Sequence, residues 1–279
     1  MKSVLIRLRE VVQQSRGNER EIIKFILNNP QDVTHMTIHE LARVTYTSPS
    51  SVVRFCKKNG FGGYKDFSKS LLIEISTNSS SRSEDIDEIT KFDSIEEIIE
   101  KVTLKNIISL QDTGDIIDAQ AINQAITHMH SARNICLFGI GSSYNVGRDF
   151  QQKLIRLDRH ITMSEDWHIQ WLTARNMIKG DVGIVISYSG KTDEMIRCCK
   201  SMRDNGVTII CLTKYGTNPI NEYADVKLYV AANESTFRSG AMSSRISQLN
   251  IIDILYTGYA NRHYEQSIEM IARTHIRKE

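Results

Sequence analysis

Four short apolar runs in the second half of the chain place the tightest limits on its fold. They are NICLF, DVGIVIS, VTIICLT and VKLYVA, which begin at residues 134, 181, 207 and 226. Apolar runs of this length, bounded by polar residues, are typical of strands buried on both faces of a parallel sheet. Segments with helical spacing separate them, among them TDEMIRCCKSMRDN between the second and third runs. The alternation predicts an α/β domain with a doubly wound parallel sheet, and HITMS is a weaker candidate for a further strand.

A polar, serine-rich stretch, STNSSSRSED at residues 76 to 85, divides the chain. It lacks apolar periodicity and has the composition of a flexible linker. We therefore expect a helical domain over residues 1–76, a linker over 77–85 and the α/β domain over 86–279, which opens with helices.

Helical patterns run through the first domain. NEREIIKFILNNP has apolar residues at helical spacing and stops at Pro30, and TIHELARV opens with a capping box of Thr37 and Glu40. Ser48 is a good N-cap, and Pro49 suits the first position of the helix PSSVVRFCKKN. A short helix, a turn and a second helix outline an all-α helix-turn-helix domain, whose second helix enters the major groove of DNA. An ordinary helical bundle is the alternative.

The polar side chains of PSSVVRFCKKN are candidates for DNA contacts. Val52, Val53, Phe55 and Cys56 can face the core, which leaves the other side chains for solvent or DNA. Small hydroxyls and an arginine suit base edges, and lysines suit phosphates. The predicted DNA-binding residues are Ser48, Ser50, Ser51, Arg54, Lys57, Lys58, Lys65 and Lys69. The first 76 residues carry a net charge of +5, which is compatible with operator DNA but also common in proteins that bind none.

Two glycine-containing turns follow predicted strands and precede helices. Gly139, Gly141, Ser142 and Ser143 follow the first strand, and Ser187, Ser189, Gly190, Lys191 and Thr192 follow DVGIVIS. Backbone N–H groups at a helix start and short hydroxyl side chains suit a phosphate. Neither turn matches a dinucleotide fingerprint or a P-loop, so we predict no nucleotide and no cofactor. Each turn taken alone could be a tight connection and nothing more.

Other features exclude several classes of protein. No stretch approaches the roughly 20 apolar residues needed to span a bilayer, and the charged N-terminus is not a signal peptide, so we expect a cytoplasmic protein with no membrane partner. Five cysteines without paired spacing are expected to be reduced packing residues. His35 and His39 lack the glutamate of a zinc-protease motif, and no metal site is predicted.

Three motifs together resemble one family. SYSGKTDE and FGIGSS resemble the two sugar-phosphate loops of the sugar isomerase (SIS) domain, and SPSSVVRFCKKNGFGGYKDF resembles the helix-turn-helix of RpiR/MurR-type transcriptional regulators. FRSGAMSSRISQLNIIDILY, residues 237 to 256, resembles the segment that follows the last strand in these regulators. The resemblance covers nearly the whole chain and implies a flavodoxin-like SIS fold behind the DNA-binding domain.

The resemblance also implies roles for particular residues. Ser187, Ser189 and Thr192 would hold a phosphate together with the backbone of Gly190 and Lys191. Ser142 and Ser143 would meet the sugar or its phosphate, and further effector-binding candidates are His168, Glu234 and Arg238. His168 could equally pack between tryptophans, Glu234 could cap a helix, and Arg238 could pair with a partner subunit.

These regulators act as dimers or tetramers, and a face made of Ile246, Leu249, Ile252 and Tyr256 is either an interface or part of the domain core. A DNA-binding head with a phosphosugar-binding body predicts an effector-controlled repressor or activator, not an enzyme. We favour a repressor that controls a sugar or amino-sugar catabolic operon. Similarity to regulators of sialic-acid catabolism favours N-acetylmannosamine 6-phosphate or another N-acetylhexosamine 6-phosphate as the effector.

Two other functions stay open from the sequence. One is a phosphosugar isomerase or lyase with an accessory helical domain, for which Glu194, Glu234 or His168 could serve as a base. The other is a phosphosugar-binding adaptor that does not bind DNA.

Overall fold

The computed structural model describes residues 3–77, 89–231 and 241–275. The chain forms two compact units, Met1–Asp87 and Glu88–Glu279. Apart from Thr77, the predicted linker lies outside the described residues.

The described part of the first unit is all helical, as the sequence predicts. Its helices are α1 (Val4–Val12), α2 (Gly17–Asn28), α3 (Pro30–His35), α4 (Ile38–Val44), α5 (Pro49–Lys58) and α6 (Tyr64–Thr77). Phe67 is fully buried, and the rings of Phe55 and Phe61 meet it edge-on at centroid distances of 5.7 and 5.2 Å. The half-buried Tyr64 donates its hydroxyl to the carbonyl of Met36 at 2.8 Å. These aromatic residues therefore belong to the core of the first unit or pack against it.

Local capping decides where α4 and α5 begin. The Thr37 side chain accepts from the Glu40 N–H at 3.2 Å, and the Glu40 carboxylate accepts from the Thr37 N–H at 2.7 Å, which completes the predicted capping box. These hydrogen bonds lower the pKa of Glu40. Ser48 caps α5 by accepting from the Ser51 N–H at 3.2 Å. The predicted caps therefore set the first residue of each helix.

One boundary in this unit differs from the prediction. The sequence pattern predicts that the helical segment stops at Pro30, but a short helix, α3, begins there. Asn29 has φ −135° and ψ 52°, which breaks α2 and turns the chain. Proline at the first position of the next helix loses no hydrogen bond, because that N–H has no helical partner. Asn and Pro therefore join two helices instead of ending the helical region.

The second unit alternates helices and strands. Its helices are α7 (Ile95–Ile116), α8 (Ala119–Ser131), α9 (Ser142–Ile155), α10 (Trp167–Asn176), α11 (Asp193–Asp204), α12 (Met242–Arg262) and α13 (Tyr264–Arg273), and Pro219–Glu222 forms a 3-10 turn. Its strands are β1 (Ile135–Phe138), β2 (Ile161–Thr162), β3 (Val182–Ile186), β4 (Thr208–Lys214) and β5 (Val226–Val230). All pairings are parallel, in the order β2-β1-β3-β4-β5. This confirms the doubly wound α/β fold, and β2 confirms the weak strand predicted at HITMS.

The sheet has an apolar core on each face. One face packs against α8, α9 and α12, and Phe150 and Ile252 are fully buried there. The other face packs against α10 and α11 and buries Cys136, Cys198, Cys199 and Cys211. All five cysteines are free and buried, which confirms them as packing residues. Burial raises the pKa of the Cys198 thiol to about 12.

Most of the apolar face of α12 packs into the core that it shares with α8 and α9. Ile252 is fully buried, and Leu249 and Tyr256 pack against the core cluster from half-buried positions, as does neighbouring Ile254. Ile246 is half-buried. Packing within the domain therefore accounts for Ile252 without a partner subunit.

The Asp181 carboxylate stabilises the edge of the sheet at which β3 begins. Asp181 is buried and binds both the Nε and Nη2 atoms of Arg133 at 3.0 Å, and it also accepts from Asn134 and from the Ile178 N–H. Burial raises the pKa of Asp181, but these hydrogen bonds outweigh it and leave the pKa below its usual value. This edge is structural, and the opposite edge holds the cavity described next.

The residues that the structure describes include neither a membrane-spanning helix nor a cluster of metal ligands. None of the helices there is long and apolar enough to cross a membrane. Nor does any group of three or more His, Cys, Asp or Glu side chains in those ranges come close enough to hold a metal ion.

Candidate functional site

A cavity of about 530 Å³ opens at the carboxyl ends of β1 and β3. The strand order reverses between these two strands, and ligands of doubly wound sheets bind at such a switch point. Hydroxyl side chains dominate the polar part of its wall: Ser142, Ser143, Ser187, Ser189, Thr192 and Ser244. Ile140, Ile186 and Met195 supply apolar surface, with Tyr188, Ala241 and Gln248 completing the wall. No Asp, Glu, His, Lys or Arg lines it among the described residues.

The turn after β3, residues 187 to 192, forms one end of the cavity and is called the β3 loop. The hydroxyls of Ser187 and Thr192 lie 3.2 Å apart, and the Gly190 N–H donates to the Ser187 carbonyl at 3.1 Å. The Lys191 N–H donates to the Ser189 hydroxyl at 3.2 Å, while the Lys191 side chain is exposed and does not line the cavity. The loop thus folds back on itself and brings three hydroxyls to one place.

The backbone conformation and the neighbouring Asn218 side chain both require glycine at position 190. Its φ is +62°, and a Cβ at this position would lie 2.2 Å from the side chain of Asn218. Asn218 is buried and held by the Thr213 hydroxyl at 3.2 Å and by the Asn221 N–H at 3.1 Å, so it cannot move aside freely. Sequence patterns do not reveal Asn218, because its contact with the β3 loop is made only in the folded protein.

The turn after β1, residues 139 to 143, forms the facing loop and is called the β1 loop. The buried side chain of Gln170 clamps Gly139, accepting from its N–H at 3.0 Å and donating to its carbonyl at 2.9 Å. A Cβ on Gly139 would lie 3.2 Å from the carbonyl oxygen of Ile186, so the β1 loop closely approaches the end of β3. Gly141 has φ +61° and precedes α9, which presents Ser142 and Ser143 to the cavity. The predicted serines of both loops therefore meet at one cavity.

Three helices begin at this cavity. α9, α11 and α12 start after Gly141, Thr192 and Ala241, and within the described ranges no side chain caps these helices at their N-cap residue. The first N–H groups of a helix have no helical partner and carry the positive end of the helix dipole. An anion in the cavity would satisfy them. As far as the structure describes the wall, the positive field comes from backbone dipoles instead of charged side chains.

None of the effector-binding residues predicted from the sequence lies on α12, although this helix forms one wall of the cavity. Ser244 and Gln248 are buried and line the cavity, and Ser243 and Ser247 are buried beside them. Their spacing, at 243, 244, 247 and 248, puts four polar residues on one helical face. That spacing is the signal that could have found them.

Of the remaining predicted effector residues, the structure describes only His168. His168 is exposed near the start of α10, with the rings of Trp167 and Trp171 at centroid distances of 6.1 and 6.3 Å, and it does not line the cavity. Glu234 and Arg238 lie outside the described residues.

The predicted DNA-binding residues lie on α5, at its N-cap and on α6. Val52, Phe55 and Cys56 are buried as predicted, whereas Val53 is half-buried. The polar residues are exposed apart from Ser51, which is half-buried: Ser48, Ser50, Ser51, Arg54, Lys57, Lys58, Lys65 and Lys69. Lys58 forms a salt bridge with Glu19 at 2.7 Å. A cationic surface therefore accompanies the second helix of the motif.

Similarity to known proteins agrees with both halves of this description. Residues 2–78 match the helix-turn-helix domain of the rpiR family, and residues 128–258 match the SIS domain. A protein of Caldanaerobacter subterraneus subsp. tengcongensis, named as an uncharacterized HTH-type transcriptional regulator, is 34% identical over 98% of this chain and 96% of its own length. The chain belongs to the RpiR family of transcriptional regulators.

Two further relatives of this RpiR-family regulator have a name or a solved structure. The HTH-type regulator YbbH of Bacillus subtilis is 31% identical over 92% of this chain and 90% of its own. The structure of the Vibrio vulnificus NanR protein complexed with ManNAc-6P is 28% identical, with a TM-score of 0.61 over 98% of this chain and 97% of that one. The family and fold predicted from the motifs are confirmed.

Proposed function

We propose that a sugar phosphate, bound in the cavity of the second unit, controls the operator binding of this regulator. The observation that carries the proposal is a convergence within the described residues: three helix N-termini without a side-chain cap and six serine and threonine hydroxyls meet at one cavity, whose described wall has no charged side chain. In this proposal residues 1–76 bind DNA, 77–85 link the domains, and 86–279 bind the effector.

The β3 loop is the proposed phosphate site. Ser187, Ser189 and Thr192 offer hydroxyl donors just before α11. The N–H groups of Gly190 and Lys191 donate within the loop, to the Ser187 carbonyl and the Ser189 hydroxyl, and in this proposal the phosphate shares them. Neutral donors suit a buried anion, because they bind it without the cost of removing a lysine or arginine from water. Ser142 and Ser143 of the β1 loop face the sugar or a phosphate oxygen. A volume of about 530 Å³ is ample for a hexose phosphate.

The identity of the effector is proposed from similarity. The NanR structure contains ManNAc-6P, and its chain aligns with almost all of this one. We therefore propose N-acetylmannosamine 6-phosphate, or another N-acetylhexosamine 6-phosphate, as the effector. The protein then acts in the cytoplasm as a repressor of an amino-sugar catabolic operon, and as a homodimer or higher homo-oligomer.

A role as an isomerase or lyase receives less support from the cavity. Moving a proton next to a carbonyl needs a base within hydrogen-bonding reach of the substrate. Among the described lining residues none is a carboxylate or an imidazole, and His168 and Glu194 do not line the cavity. The wall as described is equipped to bind a phosphosugar.

A thermal-shift screen of the full chain tests the proposal. N-acetylmannosamine 6-phosphate, N-acetylglucosamine 6-phosphate and glucose 6-phosphate are compared with unphosphorylated N-acetylmannosamine. At least one sugar phosphate should raise the melting temperature in a concentration-dependent manner, while the unphosphorylated sugar should not. Chromatography of the same mixtures should recover the ligand unchanged. A stoichiometric conversion to product would favour the isomerase or lyase, and no shift with any phosphate would contradict the proposal.

A further inference from the structure

The α12 wall of the cavity holds a buried side-chain amide, that of Gln248. Gln248 is 1% exposed and lines the cavity, and its Nε2 atom is buried without a hydrogen-bond partner among the described residues. Buried amide groups nearly always have partners, so an orphan at a ligand cavity needs a reason. A ligand that brings an acceptor oxygen would supply one.

The backbone that carries Gln248 is firmly held. The neighbouring Ser247 is fully buried, and its hydroxyl lies 3.1 Å from the Ala231 carbonyl, to which it donates, and 3.3 Å from that of Ser109 on α7. One turn before Gln248, Ser244 also lines the cavity. The helix therefore holds the backbone of Gln248 in place at the cavity wall.

The position of Gln248 in the chain separates it from the proposed phosphate site. The β1 and β3 loops already present hydroxyl donors for the phosphate, whereas Gln248 comes from α12, on a different wall of the cavity. Its amide N–H can donate to a hydroxyl or carbonyl oxygen of the sugar.

We propose that Gln248 donates its amide N–H to an uncharged oxygen of the sugar part of the ligand, and so helps to determine which sugar phosphates bind. This inference rests on the proposed function, since it needs a sugar phosphate in the cavity. The consequence is ligand specificity. Removal of the amide donor lowers the affinity for a sugar phosphate and leaves the affinity for inorganic phosphate unchanged.

Gln248→Met, which keeps the length and loses the amide, tests the inference. Dissociation constants of the full chain are measured by calorimetry or thermal shift for N-acetylmannosamine 6-phosphate and for inorganic phosphate. The affinity for the sugar phosphate should fall about tenfold, the value of one hydrogen bond, and that for inorganic phosphate should not change. The melting temperature without ligand should stay the same or rise, because an unpartnered amide is removed. The control Ser187→Ala should weaken binding of both ligands.

The other results are equally decisive. Unchanged affinities in Gln248→Met, or equal losses for both ligands, would overturn the inference while the proposed function stands. If Gln248→Met does not fold, Gln248→Asn, which withdraws the amide by one methylene, should show the same selective loss to a smaller extent. A role in packing alone would instead lower the melting temperature of both variants without separating the two ligands. If the wild-type protein binds no sugar phosphate, the proposed function fails and this inference with it.

Discussion

The second helix of the DNA-binding motif and the cavity of the SIS domain both present donors suited to phosphate, by different physical means. On α5 and α6 the donors are long, exposed cationic side chains: Arg54, Lys57, Lys58, Lys65 and Lys69. In the cavity they are hydroxyls and helix N-termini, with no charged side chain among the described lining residues. The two regions differ in their exposure to water, and that difference explains the choice of donor.

Water screens charges on an exposed surface, so a surface that meets the many phosphates of DNA needs several full charges. A buried cation is expensive to desolvate, whereas fixed backbone dipoles are already oriented and act strongly where water is excluded. One phosphate monoester can therefore be bound by neutral groups. We therefore expect DNA binding to depend on charge and salt, and phosphate binding in the cavity to depend on the geometry of the two loops.

The largest expected difference between the two regions is in how their binding affinities depend on salt. Raising the salt from about 0.05 M to about 0.2 M should weaken operator binding about a thousandfold, because the cations displace counterions condensed on DNA. The affinity for N-acetylmannosamine 6-phosphate should change less than about threefold over the same range. Fluorescence anisotropy and calorimetry measure the two constants. A steep salt dependence of ligand binding would show that charged side chains hold the phosphate and would break the comparison.

Removing the charges of α5 should have the next largest effect. The triple variant Arg54→Ala, Lys57→Ala, Lys58→Ala should lose about a hundredfold in operator affinity. In a plot of the logarithm of the binding constant against the logarithm of the salt concentration, the slope should become shallower by about one for each phosphate that is no longer neutralised. Lys200→Ala, an exposed lysine on α11, serves as the matched control and should behave as the wild type. Ligand affinity should be intact in both variants. Operator binding that survives the triple substitution would place the DNA-binding surface elsewhere.

A single methyl group in the β3 loop should damage the cavity. Gly190→Ala introduces a Cβ beside Asn218 and strains a backbone with φ +62°, so the loop must move. Calorimetry should show that ligand affinity falls about 30-fold or more, while operator affinity without ligand should be retained.

Gly206 provides the control for that variant. It also has a positive φ, +69°, but the nearest atom to an added Cβ is 4.0 Å away. Gly206→Ala should lower the free energy of unfolding by about 1 kcal/mol and leave ligand binding unchanged. If Gly190→Ala binds the ligand as the wild type does, the geometry of the β3 loop is not what holds the phosphate.

The smallest effect is expected at Tyr46, in the turn between α4 and α5. Its φ is 53°, a region unfavourable for side chains other than glycine, and its side chain is 96% exposed. Tyr46→Gly should raise the free energy of unfolding of the first unit by about 0.5 to 1 kcal/mol, as measured by chemical denaturation. Operator affinity should change less than about twofold, because no charge is removed. A larger drop in affinity would mean that an uncharged aromatic contributes to DNA binding.

Local signals in the sequence predict much of the architecture. The capping box of Thr37 and Glu40, the proline at the start of α5 and the apolar runs of the strands each act over a few residues. Both cavity loops can also be found, since a strand followed by glycine, serine and a helix is a local pattern.

Features that depend on distant contacts cannot be predicted in this way. α1 is capped partly by the Glu74 carboxylate of α6, which accepts from the Val4 N–H and from the Ser3 hydroxyl across about 70 residues of chain. The clamp of Gln170 on Gly139 and the place of Asn218 behind Gly190 likewise form only in the folded protein. Gln248 differs from these residues, because the polar residues at 243, 244, 247 and 248 form a local pattern on α12 that could have revealed it.

A sugar phosphate in the cavity should change operator affinity, and this is the central claim. Operator DNA selected from a randomised library can be titrated with the full chain, with and without saturating N-acetylmannosamine 6-phosphate, at a fixed salt concentration. We predict that the ligand changes the dissociation constant at least about fivefold, and that Gly190→Ala abolishes this change. An operator dissociation constant that stays the same with every sugar phosphate in the panel would contradict the claim.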